Sequence, residues 1–125
     1  GPPPCPDARS VGLPARRPPG GFGQGGVGLS GLPVRLYLLE KPEGSIGAGE
    51  DVRRYHRHWT PVHLDVVVDD LDAALARALA AGAVLEQPAR TEVWGRIALL
   101  ADPFGHGLCL IQFLNRGYDE VTTPA

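Results

Sequence analysis

The rhythm of apolar and polar positions is clearest between Val62 and Phe113. Val62 to Val68 is a short apolar run with β-branched residues, which predicts a buried strand. Asp69 and Asp70 then supply an N-cap and a negative start for a helix. Leu71, Leu75, Ala78 and Leu79 recur at helical spacing, alanines fill the turns between them, and Gly82 stands where a left-handed residue would end the helix. Ala83 to Leu85 starts a second strand, which Gln87-Pro88 is expected to break. Val93 to Ala101 makes a third, Asp102-Pro103-Phe104-Gly105 is a turn, and His106 to Phe113 makes the fourth. The order is strand, helix and three strands in one mixed sheet, with the helix on its convex face.

Upstream the pattern weakens. Val34 to Glu40 suits a pleated surface and ends at Pro42 and Gly44. Residues 43–60 read as a polar loop carrying the basic cluster Arg53-Arg54-Tyr55-His56-Arg57-His58. Residues 1–31 hold nine of the 17 glycines and seven prolines, with only eight apolar residues, against 31 of 52 between Val62 and Phe113. Such a segment lacks the side chains to bury and the donors to build a ladder, so it reads as an irregular arm. Its Gly21-Phe22-Gly23-Gln24-Gly25-Gly26 matches a dinucleotide fingerprint in letters only. A proline-rich run precedes it where a strand is needed, so a flexible loop is expected.

Composition narrows the function. A length of 125 residues suits one domain with one core. A net charge of −2 gives no field for nucleic-acid binding, and no apolar run nears the ~20 residues of a membrane span. Two cysteines about a hundred positions apart form neither a disulfide framework nor a zinc motif. The N-terminus lacks the regions of a signal peptide, so a cytoplasmic location is expected. With no methionine even at position 1, the first residues are not expected to be the natural start of the domain.

The element order, together with His63-Leu64-Asp65-Val66-Val67-Val68-Asp69-Asp70-Leu71-Asp72-Ala73-Ala74, Ala80-Ala81-Gly82-Ala83, Trp94-Gly95-Arg96 and Asp102-Pro103-Phe104-Gly105-His106, resembles one module of the vicinal oxygen chelate superfamily. This is the group of glyoxalases, bleomycin-resistance proteins and extradiol dioxygenases. The resemblance implies an α+β fold in which βαβββ modules form a curled mixed sheet around a cavity. The first module is incomplete or irregular, since only its last strand near Val34 to Glu40 is recognisable. The expected organisation is an arm over 1–31, a glyoxalase-like domain over 32–121 and a tail over 122–125. A sheet short of a strand and a helix leaves edges exposed, and the family often dimerises, so a homodimer is expected.

Metal-dependent members resemble one another in four ligands, from the first and last strands of each module. They hold an ion whose open positions chelate two substrate oxygens. His63 matches the ligand that opens the second module. On the last strand the family glutamate lies seven residues after the turn aspartate, which here is Cys109. Glu40 is the candidate ligand from the first module, and the fourth falls on the strand that is not recognisable. A centre of zinc, nickel, iron or manganese would then rest on His63, Glu40 and Cys109. The thiol departs from the hard carboxylate that also moves protons, so no cofactor is expected. An ionised Cys109 would rescue zinc only in a soft, closed-leaning site. Gln112 falls on the face opposite Cys109.

His63 and Asp65 alternate along one strand and share a face, so the carboxylate either orients the histidine or forms an ion pair at the cavity mouth. His106 after the turn is expected to cap or face solvent. The expected ligand-binding set is Tyr37, His63, Asp65, Trp94, Arg96 and Phe113. The aromatics would stack on a flat molecule and Arg96 would clamp a carboxylate. The favoured reading is a metal-independent binding domain for a small molecule. The alternatives are a metal-dependent lyase, isomerase or dioxygenase acting through His63 and Glu40, and an incomplete, interaction-only domain.

Overall fold

The computed structural model describes residues 15–16, 26–29 and 33–123. The chain divides into two compact units, Gly1–Tyr55 and His56–Ala125.

In the first unit, β1 (Ala15–Arg16), β2 (Gly26–Leu29) and β3 (Leu36–Leu39) form an antiparallel sheet with β2 in the middle. This corrects the irregular-arm expectation at Gly26–Leu29. Glycine keeps both main-chain hydrogen-bonding groups, and pairing Gly26 with Leu39 and Leu29 with Leu36 fills the ladder without side chains. The rest of the arm, including all of the glycine-rich letters but Gly26, lies outside the described residues. The polar-loop expectation for 43–60 is also corrected. Ile46–Ala48 (β4) and Asp51–Val52 (β5) pair as a hairpin. It is closed by Arg53 N–H donating to the Ser45 carbonyl at 2.8 Å and by the Arg53 guanidinium on Ser45 Oγ at 2.9 Å.

The second unit follows the predicted order. Leu64–Val67 (β6) leads into α1 (Leu71–Ala80), then Val84–Glu92 (β7), Gly95–Ala101 (β8) and Gly107–Phe113 (β9), with a short 3-10 turn at Gly117–Glu120. The sheet order is β6-β9-β8-β7, parallel between β6 and β9 and antiparallel elsewhere.

The helix starts because Asp70, in an extended conformation, accepts from Ala73 N–H at 3.1 Å. The sheet adds a second cap, since Gln112 Oε1 accepts from Leu71 N–H at 2.8 Å. At the other end Gly82 takes φ +101°. Its N–H reaches the Leu79 carbonyl and that of Ala83 reaches the Ala78 carbonyl, the double closure of a Schellman motif. Leu71, Ala74 and Ala78 bury against Ala98, Leu100 and Leu110. A fully buried leucine such as Leu100 contributes ~1.5–3 kcal/mol.

Pro88 does not break β7, contrary to expectation. β7 is the outer strand, and its pairing with β8 shifts register between Leu85 and Gln87 and again between Gln87 and Arg90. A bulged edge tolerates the missing donor that a central strand would not. The turn after β8 is stitched by Asp102, whose Oδ1 accepts from Phe104 N–H at 2.8 Å and His106 N–H at 2.9 Å. Gly105 has φ +89°, and a Cβ there would lie 2.0 Å from the His56 carbonyl oxygen. Only glycine lets these two backbones meet.

Candidate functional site

One face of this sheet carries α1, and the other gathers the polar chemistry. His63, just before β6, is in phase with Asp65 on the strand, and the parallel register sets Asp65 beside Cys109. His63 Nε2 lies 3.2 Å from Cys109 Sγ and 3.5 Å from Asp65 Oδ1. The His63 and Asp65 side chains are 49% and 50% exposed, while Cys109 is 5% exposed and packs with Ile97 and Ile111. Burial first, and then the Asp65 carboxylate, push the Cys109 thiol above its ordinary value of 9.0.

This arrangement is not a thiol–imidazole–carboxylate relay. A relay needs the carboxylate on the ring nitrogen that faces away from the nucleophile. Here sulfur and carboxylate both face Nε2, and the thiol is held in its neutral form.

An aromatic group lies on the same face. Trp94, in the two-residue turn between β7 and β8, packs against the Ile97–Cys109–Ile111 cluster. The Tyr118 ring sits 5.0 Å from Trp94 and 5.0 Å, edge-on, from Phe113. Burial, the Asp65 charge and Cys109 raise the Tyr118 hydroxyl above its ordinary 10.0, which links the aromatic group to the polar one. Beyond His63 an open depression of about 680 Å³ is lined by Arg57, His58 and Trp59 among others.

The structure therefore unites His63, Asp65, Cys109, Trp94 and Phe113 on one face. Arg96 is corrected. It lies on the opposite face, paired across the ladder with Gln112, and its guanidinium grips both Asp72 oxygens at 3.0 and 3.1 Å. A residue between Gly95 and Ile97 on a strand of period two cannot share the face of Ile97. The arginine whose charge reaches Cys109 is instead Arg90, opposite Ile97 in the register. Tyr37 lies half-buried in β3 of the first unit, and Glu40 is exposed just past that strand. His106 keeps its expected capping place, with Nδ1 2.9 Å from Asp102 Oδ2. Gln112 faces away from Cys109 and caps the helix.

Sequence reasoning missed Tyr118, and it read Arg57 only as part of the basic cluster of a polar loop. The signal for Tyr118 was Gly117, whose φ of +60° turns the chain back over Phe113. Arg57 clamps Glu86 and donates to the His58 and Gly105 carbonyls, so the basic cluster is partly a structural staple.

A model of the glyoxalase-like domain matches residues 8–111, and the chain belongs to this family, within the vicinal oxygen chelate superfamily. The match begins within the glycine- and proline-rich segment, upstream of the 32–121 domain expected from the resemblance. An uncharacterized protein of Mycobacterium bovis is 46% identical over 48 residues, 38% of this chain. That stretch spans only 32% of the length of the mycobacterial relative. Among solved structures, the glyoxalase/bleomycin resistance protein of Streptomyces sp. CB03234 is 26% identical, covering 84% of this chain and 83% of its own, with a TM-score of 0.53. TnmS3, an antibiotic binding protein from Streptomyces sp. CB03234, is 23% identical over 86% and 80%, with a TM-score of 0.56. A hypothetical protein from S. aureus has the same fold at a TM-score of 0.62, 16% identity, and coverage of 84% and 80%.

The residues present do not fit the oxygen-chelating centre of the superfamily. The last-strand position that a carboxylate occupies in that centre is Cys109, a buried thiol held toward neutrality. Among the described residues no helix is long and apolar enough to cross a membrane.

Proposed function

We propose that this domain binds a small molecule with a planar aromatic group on the open face of its sheet, without the oxygen-chelating catalysis of its metal-dependent relatives. The observation that carries this reading is the adjacency of two groups. Trp94, Phe113 and Tyr118 offer an apolar, part-exposed bed, and His63 and Asp65 offer polar atoms at its border. Aromatic walls with a few convergent polar groups suit small-molecule binding. The likeness to an antibiotic binding protein supports a small-molecule ligand. We also propose a homodimer. β6 is an edge strand with Leu64 55% and Val67 57% exposed, and an apolar edge is stabilised by a second chain.

The test is calorimetric titration of the full chain, with chelator present, against a panel of planar aromatic compounds including aromatic antibiotics. Saturable binding of at least one compound is expected, weakened about ten-fold or more in Trp94→Ala, the equivalent of ~1.4 kcal/mol. Absence of binding across the panel, or affinity indifferent to Trp94→Ala and Phe113→Ala, would end the proposal. Sedimentation that shows only monomer at micromolar concentration would remove the dimer.

A further inference from the structure

We infer that the molecule taken by this face is amphoteric as well as aromatic: its carboxylate meets Arg90 at one margin of the sheet, and its protonated amine meets Asp65 at the other. The inference rests on the reading above and adds to it the class and the orientation of the ligand.

Sheet order places the two charges. β6 and β7 are the outer strands of the order β6-β9-β8-β7, and Asp65 lies on the first and Arg90 on the second. Both side chains belong to the open face. Val66 and Ala89 pack against the core beneath α1, and alternation turns their neighbours Asp65 and Arg90 to the other side. The register agrees, since Asp65 pairs with Cys109 and Arg90 with Ile97, both part of the open-face floor. Three strand spacings separate the margins, about 14 Å of backbone before the side chains reach inward.

The floor between the margins is apolar, made by Leu99, Ile97, Ile111 and the Cys109 thiol. Burial raises that thiol most; of the two charges, Asp65 raises it further and Arg90 lowers it. One buried sulfur therefore feels both margins, in opposite senses, as in a field laid across the floor from Arg90 to Asp65. Neither charge is locked away, since both side chains are about half exposed. Arg90 shares Nε with Glu92 Oε1 at 3.1 Å and Nη1 with Gln87 Oε1 at 3.3 Å, and Asp65 Oδ1 lies 3.5 Å from His63 Nε2. Ion pairs so open to water hold their partners weakly, and a ligand carboxylate can displace Glu92. A carboxylate on a guanidinium makes two parallel N–H···O bonds, which a ketone or hydroxyl cannot match. An uncharged ring laid over the floor takes water from both margins and returns no hydrogen bond. That cost selects a molecule charged at both ends.

Titration calorimetry of the full chain at low salt, where half-exposed charges are least screened, uses four compounds built on one ring. These are 6-(aminomethyl)-2-naphthoate, its methyl ester, its N-acetyl derivative and the doubly blocked compound. The amphoteric compound is expected to bind tightest, with each single block weakening it about five-fold and the doubly blocked compound weakest. Arg90→Gln weakens the two free acids about five-fold and leaves the two methyl esters unchanged. Asp65→Asn does the same to the two free amines and spares the two N-acetyl compounds. The compounds that a substitution spares show that the variant is folded. A free acid no tighter than its ester, a free amine no tighter than its N-acetyl form, or losses in either variant that ignore the blocked group overturn the assignment while aromatic binding stands. If none of the four binds, the assignment falls as well, and the Trp94→Ala titration decides separately on the reading beneath it.

Discussion

The two faces of the four-stranded sheet are cut from the same strands, residue by residue, yet they are finished in opposite ways. On the covered face, Ala98, Leu100 and Leu110 meet Leu71, Ala74 and Ala78 of α1, and the polar groups present are spent on structure. Gln112 caps the helix and Arg96 holds Asp72. On the other face Ile97, Cys109 and Ile111 make a small floor, around which His63, Asp65, Phe113 and Tyr118 remain part-exposed. Small alanines let a helix approach closely on one side, while bulky aromatics and half-solvated polar groups stay open to solvent on the other. The covered face holds the fold together, and the open face carries the site proposed for binding.

The largest test of that contrast is Leu100→Ala, which empties a fully buried site between sheet and helix. It should cost about 2–5 kcal/mol in denaturant unfolding. Phe113→Ala on the open face, where the ring is 40% exposed, should cost clearly less while reducing aromatic binding. Equal losses of stability would erase the distinction between the faces. A middle-sized effect is expected of Gln112→Ala, which removes the cap on Leu71 N–H and should cost about 0.5–2 kcal/mol without changing the proposed aromatic binding. A loss of binding in that variant would mean that the faces are coupled.

The smallest effect concerns acid. The Arg96 guanidinium holds the Asp72 carboxyl below its ordinary 3.8, and Arg57 holds that of Glu86 below 4.5. A carboxyl depressed in the folded state contributes stability that is fully present above its unfolded value and is lost as pH falls through the folded one. Both pairs are solvent-exposed, so only a shallow decline below about pH 4 is expected. Asp72→Asn should flatten its share of the decline, and a slope unchanged by that substitution would show the covered-face pair to be inert.

How legible these faces were in the chain differs from strand to strand. His63 was placed with Asp65, and Gln112 opposite Cys109, because alternation along a strand is intrinsic to the backbone, whereas Asp65 beside Cys109 needed the β6–β9 register. The same rule was available for Arg96 but needed the β8–β9 register to set its phase, and that register pairs residues through a turn far from either. Pro88 was read as a break because its missing donor matters in a central strand. That β7 lies at the edge is a fact of sheet order, which no local pattern contains. Gly26–Leu29 read as arm for a related reason, since its ladder comes from the partner strand Leu36–Leu39. Tyr118 escaped notice because it lies past the last periodic residue and reaches the site only through the left-handed turn at Gly117.

By itself the chain determined the βαβββ order of its second unit. The helix caps, the alanine spacing, the turn from Asp102 to Gly105 and the two periodicities act over a few residues and need no distant partner. Tertiary structure alone decided which side chains converge. It brought Asp65 beside Cys109 by parallel pairing across 44 positions, folded Tyr118 over Phe113, and turned Arg96 toward the helix. Such convergence depends on strand order and register, which are settled by burial and main-chain pairing summed over the whole sheet, and so are not written at any one position.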